Sequence, residues 1–571
     1  MYDMVVRGGT VVDGTGSPPQ VGDIAVDGGV VAEVGRVDEQ GRREVDADGL
    51  LVLPGWVDIH THYDGQATWD AELTPSSWHG VTTTVFGNCS VGFAPVRPGT
   101  EEYLITLMEG VEDIPGSVLA EGVAFRWESF ADYLDALAAT PRVMDVGAQV
   151  PHAPLRFYVM GERGADHLEA PTEDEAAEMG RLVKDALGAG ALGFTTSRTV
   201  KHRAADGRFT PGLTAGEPEL LAVARAMGEA GAGVVQANSD FGTADEFRLL
   251  RRMAEVSGRP VSFSLIQLDQ QPEGRREHLD QIEVAAGDGL TIRGQVASRP
   301  IGILMGLDAT LHPFLAHRAY REVAGLPLEE RVRRLRDPEV RERILAEHPD
   351  GGYGAWMAHA LTRTFVLGDP PDYEPDPERS VAAQAGRQGR DPFDVVYDLL
   401  LGDGGRALLY YPFENYANGN LDAVGEMICS EHTVSGLSDG GAHVGTICDA
   451  SFPTYLLTHW ARDRERGPRL PVEFVVRSQT RDTAVAVGLG DRGVLAPGFR
   501  ADLNVVEWDA LGIGAPEMVY DLPAGGRRLV QGARGYRHTF VAGEATYVDG
   551  AWTGATPGRV VRGDRPMSPL R

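Results

Sequence analysis

Cysteine is scarce. Cys89, Cys429 and Cys448 are the only three in 571 residues, too few for a disulfide framework, so a stapled secreted scaffold is excluded and a reducing compartment is expected. No apolar run reaches the roughly 20 residues needed to span a bilayer, and the opening Met1-Tyr2-Asp3-Met4-Val5-Val6-Arg7 lacks a signal-peptide pattern. The expected location is the cytoplasm, with no membrane partner. Positive charge is in deficit: 53 Lys and Arg stand against 83 Asp and Glu, for a net charge of −30 spread along the chain. That field repels phosphate backbones, so a nucleic-acid partner is not expected. No Gly-x-Gly-x-x-Gly opens a helix after the first strand, which counts against a dinucleotide-binding fold. What remains is ordinary for a globular chain with a large core, 42% hydrophobic and 24% charged, and its length suits two domains.

Short β-branched runs separated by Gly and Asp fill residues 3 to 52: Met4-Val5-Val6-Arg7, Thr10-Val11-Val12, Asp23-Ile24-Ala25-Val26 and Val30-Val31-Ala32-Glu33-Val34. They read as antiparallel strands. The same texture returns at Arg492 to Val506 and in the hairpin-like His538 to Glu544. Neither end is large enough to bury a core alone, so 1–52 and 490–571 are expected to join in one discontinuous β-sandwich domain. Between them, in 53–489, strand-like and helical runs alternate. Helices at Glu173 to Leu187, Pro218 to Glu229, Ala244 to Val256 and His278 to Ala286 each precede a strand-like run. This repetition predicts an α/β fold, a distorted (β/α)8 TIM-like barrel, with a charged helical insertion around 300–400 carrying Leu326 to Arg336 and Asp337 to Leu345.

In such a barrel the reactive groups gather at the C-terminal strand ends. The run Leu50 to Val57 ends in Asp58-Ile59-His60-Thr61-His62. Alternation along a strand points the two histidines the same way, so both imidazoles can meet one metal ion. Cys89 ends the next strand and offers a soft thiolate. Asp439, in Leu437-Ser438-Asp439-Gly440, ends the last one and could take a proton from a metal-activated water. Arg198 and Arg299, after the fourth and seventh strands, are placed to clamp a substrate carboxylate or, alternatively, to pair with one of the many acidic groups. His152, His202, His312, His317 and His443 are candidate extra ligands or proton carriers, with His443 favoured because Gly440-Gly441-Ala442-His443 adjoins Asp439. Cys429 and Cys448 read as packed or bystander thiols, and Glu101 to Met108 as a helix covering the barrel or part of a lid.

Taken together, Val6 to Gly14, Pro54-Gly55-Trp56-Val57-Asp58-Ile59-His60-Thr61-His62, Gly87-Asn88-Cys89-Ser90, Leu437-Ser438-Asp439-Gly440, Gly493 to Asn504 and Gly554 to Arg559 resemble the amidohydrolase superfamily. The likeness covers essentially the whole chain and is greatest to the D-aminoacylase, or N-acyl-D-amino-acid deacylase, branch. It implies zinc, a small-molecule substrate carrying a carboxylate, and hydrolysis of an amide next to a D-configured centre. In that branch two histidines at the fifth and sixth strand ends share the tightly bound zinc with the cysteine. Here those runs finish in Gln236-Ala237-Asn238 and Ser264-Leu265-Ile266-Gln267, whose amide oxygens are poor replacements for imidazole. The resemblance therefore implies one zinc held by His60, His62 and Asp439, supplemented by Cys89, with Asn238, Gln267 and His443 on the substrate side. Alternative readings are action on a cyclic amide or lactone, a non-hydrolytic reaction, or a non-catalytic binding protein; a homo-oligomer is compatible with each.

Overall fold

The computed structural model describes residues 1–348, 351–566 and 568; the expected C-terminal range therefore extends beyond the described residues at 567 and 569–571. The two chain ends meet edge to edge. Leu51–Pro54 pairs antiparallel with Leu503–Val506, placing Val52 opposite Val505. Around that pair a nine-stranded sheet runs Ala551–Trp552, Glu544–Val548, Tyr536–Val541, Leu503–Val506, Leu51–Pro54, Tyr2–Val11, Gln20–Asp27 and Val30–Gly35, with Gly41–Asp46 alongside Tyr2–Val11. Alternating apolar residues cause this: Met4 and Val6, Ile24 and Val26, Leu503 and Val505 share one buried cluster, as a period of two requires. Each such side chain contributes about 1.5–3 kcal/mol on full burial. The hairpin expected near residue 540 turns at Ala542 and Gly543, both with positive φ, 50° and 76°, the backbone that a two-residue turn between twisted strands demands.

Gly55 marks the passage into the central region. A Cβ there would stand 2.1 Å from Thr82 Oγ1, so no side chain fits where the two strands approach. Beyond it Trp56–Asp58 pairs in parallel with Val81–Phe86, and that strand with Asp145–Ala148. After Gln149, Val150–Pro151 begins a second parallel run through Gly193–Arg198, Val234–Ser239, Val261–Ser264, Ile292–Gln295 and Thr433–Val434. After Ser435 and Gly436, Leu437–Gly440 pairs in parallel with His60–Thr61, which continues the strand begun at Trp56. Helices Glu173–Ala189, Glu217–Ala230, Ala244–Ser257 and Gly274–Gly287 join successive strands. Thr172 starts the first with a reciprocal cap to Glu175, and Gly190 ends it in the left-handed region, the signals that set helix limits. Because the strands are parallel, their C-terminal ends lie on one side, and with them His60, Arg198, Gln295 and Asp439.

The insertion is not helical throughout. Ile301–Met305, Leu409–Glu414 and Phe365–Val366 form a three-stranded antiparallel sheet. Against it pack helices including Leu328–Leu335 and Pro338–Leu345, around a separate apolar cluster with Ile303, Met305, Tyr411, Val332 and Ile344. Five-residue apolar runs between charged helices carry little periodicity, and only their pairing identifies them as strands.

Candidate metal centre

His60, His62, Cys89 and Asp439 come together. Nε2 of His60 lies 3.2 Å from Cys89 Sγ and 3.4 Å from Asp439 Oδ1; Nε2 of His62 lies 3.5 Å from the same carboxylate oxygen. One donor atom each from His60, His62 and Cys89 falls within 4.8 Å of the others. Bonds of about 2.0–2.3 Å to nitrogen, oxygen and sulfur give a tetrahedral site edges of about 3.3–3.6 Å, close to the His60–Cys89, His60–Asp439 and His62–Asp439 separations, while the mutually close donor group is His60, His62 and Cys89. Asp439 Oδ1 has no hydrogen-bond partner although it is buried, and such an atom is costly unless something binds it.

The local backbone explains the convergence. Thr61 points away from the histidines and bonds Thr84 Oγ1 at 2.8 Å and the Val85 carbonyl at 2.9 Å, so its neighbours face the cluster together. His60 Nδ1 meets Gln295 Oε1 at 2.8 Å, which keeps Nε2 free to face the thiol. Cys89 and Ser90 both hold positive φ, 52° and 70°, a conformation that costs of order 1–3 kcal/mol per residue and persists only when the surroundings enforce it. Asn88 enforces it: its amide donates to the carbonyls of Thr61 at 3.2 Å and Val85 at 3.0 Å and accepts from Gln149 at 3.1 Å. Cys89 N–H donates to Gln236 Oε1 at 3.4 Å. Asp439 also has positive φ, 53°, and Gly440 O accepts the His62 N–H at 2.8 Å. The Ser438 hydroxyl donates to the buried Asp58.

Electrostatically the two anionic donors, Asp439 and Cys89, are already biased toward their ligand forms. Burial would raise Asp439, but contact with His62 and the charges of His60, His62 and His443 hold it far below the usual carboxylate range. Burial likewise opposes a thiolate at Cys89, and His60, then His62, outweigh it and bring the thiol down. Burial disfavours a charged His60, yet Cys89 and Asp439 lift it to about 9. The imidazoles thus carry the protons that a bound ion displaces.

The other expected residues divide. His443 Nε2 lies 3.9 Å from Glu112, and its ring centroid is 6.5 Å from that of His202. The side chains of Asp439 and His443 are 15% and 25% exposed, whereas His60 and His62 are buried, so solvent reaches the cluster past Asp439 and His443. Asn238 Nδ2 stands 3.8 Å from Cys89 Sγ. Gln267 is turned to other work, accepting the Ala417 N–H at 3.2 Å while its own N–H donates to Asn415. The Arg198 guanidinium is held by Glu246 at 2.6 Å and the Ala215 carbonyl at 2.5 Å. Arg299 is buried, bonded to the Cys448 carbonyl and Asp449 and stacked 3.5 Å above Tyr373. His152 is fully buried against Glu219 and Thr196, and His312 and His317 pack in the insertion among Phe314 and Tyr320. Sequence reading did not find Gln295, although it ends a parallel strand, nor Glu112, which ends the helix Glu101–Glu112 with no spacing signal.

Fold and site together define an amidohydrolase. The chain matches the model of the amidohydrolase family over residues 43–547 and belongs to that family. It is 28% identical over 574 residues to D-aminoacylase of Alcaligenes xylosoxydans xylosoxydans, covering 98% of this chain and 97% of that one. It is 29% identical to an uncharacterized Mycobacterium tuberculosis protein, covering 89% of this chain and 84% of the relative. A solved D-aminoacylase structure, whose binuclear metal centre shows one-metal activation and second-metal attenuation, superposes with a TM-score of 0.64 at 25% identity, covering 99% of this chain and all of that one.

Proposed function

We propose that this chain is a single-metal hydrolase of a C–N bond, acting on the amide of an N-acylated D-amino acid or a related small carboxylated amide. The observation that carries the reading is the close group of His60, His62 and Cys89, with Asp439 Oδ1 at 3.4 and 3.5 Å from the two imidazoles, at the C-terminal strand ends. Two imidazoles, a thiolate and a carboxylate suit zinc, which takes nitrogen, sulfur and oxygen alike. When bound, the ion supplies polarisation of the scissile carbonyl and acidification of water. Asp439, unprotonated and solvent-accessible, takes the proton of the attacking water and passes it to the departing nitrogen. His443 and Asn238 line the approach. Arg198 orients the carboxylate if it exchanges Glu246 for substrate; Arg299 holds Asp449 in place behind.

The proposed architecture is a closed (β/α)8 barrel in 53–489 beside a composite β domain of 1–52 and 490–571. Support comes from the parallel pairings, which run from Trp56 through Val434 and meet His60–Thr61 again at Leu437. Among the described residues no helix is long and apolar enough to cross a membrane, in keeping with action in the cytoplasm. A cyclic amide is the second reading, favoured by the amides Asn238 and Gln267 where the deacylase resemblance leads one to expect histidine.

The test is metal content per chain together with turnover of N-acyl-D-amino acids, their L-enantiomers and cyclic amides, for wild type and Asp439→Ala. One ion per chain and D-selective hydrolysis, both lost in the variant, is the expected result. No ion uptake from added zinc, cobalt or manganese overturns it.

A further inference from the structure

Glu112 is a carboxylate with nothing to satisfy it except the metal cluster. It is fully buried, and neither of its oxygens has an aligned hydrogen bond among the described residues. Oε1 stands 3.1 Å from Nδ1 of His62, within ion-pair reach but well off the ring N–H direction, and Nδ1 has no other partner. Oε2 lies 3.9 Å from His443 Nε2. Glu112 is therefore behind His62, on the side of the ring opposite the Nε2 that faces Asp439. An isolated buried carboxylate is expensive, and the fold goes to some length to place this one.

The helix Glu101–Glu112 is brought in by a close approach at Gly110, where a Cβ would stand 2.2 Å from the Ala204 carbonyl carbon. Thr106 O accepts the Ala205 N–H at 2.9 Å. On the other side Glu112 O accepts the Val444 N–H at 3.1 Å, and Asp113 accepts from Thr446 at 2.5 Å. The helix end is thus pinned between the loop after Arg198 and the turn that carries Asp439 and His443.

We infer that Glu112 is a positioning residue for the metal centre: it holds the His62 ring with Nδ1 protonated and Nε2 turned to the other donors, and ties that ring to the His443 turn. This rests on the metal reading above. A carboxylate behind a metal-bound histidine fixes its tautomer and raises its basicity, and losing one typically costs 10- to 100-fold in affinity.

The test compares wild type, Glu112→Gln and Glu112→Asp by zinc dissociation constant, from competition with a chromophoric chelator, and by the absorption spectrum of the cobalt-loaded protein. Gln keeps the volume and loses the charge; Asp keeps the charge and loses a methylene. The expected order of affinity is wild type, then Asp, then Gln, with Gln weakened about 10- to 100-fold and its cobalt bands shifted. A merely space-filling Glu112 exchanges the two variants, with Gln close to wild type, Asp below it and the spectrum of Gln unmoved, and overturns the inference. Wild type that takes up no ion overturns the metal reading itself, whereas wild type that binds with Gln equal to it overturns only the role of Glu112. Should the Gln variant fold poorly by circular dichroism, a zinc constant within 10-fold of wild type in Glu112→Asp supports the charge-positioning role and a fall of 10-fold or more overturns it.

Discussion

Glu374 and Glu112 are both carboxylates buried beside a histidine, and they are built in opposite ways. Glu374 is saturated: it accepts from His459 at 2.9 Å, from Arg464 twice at 3.1 Å and from the Leu421 N–H at 2.8 Å. Glu219 repeats the pattern with His152 and both Arg156 contacts. Glu112 and Asp439 Oδ1 are left open. A buried polar group that is fully partnered rigidifies the structure, while one left unpartnered stores a cost that only a ligand repays. Among these four carboxylates the contrast marks the two that adjoin the metal cluster.

The sharpest way to break this comparison is to empty the open cluster. His60→Ala and His62→Ala should each abolish stoichiometric zinc by elemental analysis and lower kcat/KM by about 10³-fold or more, several kcal/mol of transition-state stabilisation. Near-wild-type turnover in either variant would show that the chemistry lies elsewhere. The saturated cluster should respond oppositely. Glu374→Ala strands His459 and leaves the buried Arg464 with only Asp422 as counter-charge, and should cost about 3–5 kcal/mol of stability, read as a fall in the denaturation midpoint, with metal content per folded chain unchanged.

The pH dependence sharpens the same point. Against the effect of burial, His459 and Arg464 pull the Glu374 carboxyl down to about 2, below its ordinary value of about 4.3. A depressed pKa contributes stability that is complete above about pH 4.5 and is lost as pH falls toward 2, here roughly 3 kcal/mol. The stability gap between wild type and Glu374→Gln should therefore close across that window; a gap constant from pH 5 to 2 would refute the assignment. Smaller again is the effect of Cys89→Ser, which should leave a weaker site and remove the sulfur-to-metal absorption of the cobalt form. Smallest is Arg198→Lys: lysine keeps the charge but loses the bidentate fork, so KM should rise by roughly 3- to 10-fold, and an unchanged KM would mean that Arg198 does not meet the substrate.

His60, His62, Cys89 and Asp439 were legible because each sits at or just past a strand end, and parallel strands put their ends together whatever the intervening loops do. Their close approach was not legible, since the place of Cys89 depends on Asn88 holding two residues in positive φ. Arg299 also follows a strand, yet its guanidinium meets Asp449, because a buried cation takes the nearest counter-charge the packing offers. The antiparallel sheet of the insertion escaped notice for a related reason: its strands pair across about a hundred residues.

By itself the sequence determined the local periods, the turns at glycine, the pairing of imidazoles on one face and the family likeness, all of which depend on neighbours along the chain. Only the tertiary structure decided which carboxylate stands behind His62 and which is locked to Arg464. Glu112 reaches its histidine through a helix docked at Gly110, and no spacing rule encodes that distance, because it is set by how closely two backbones can approach.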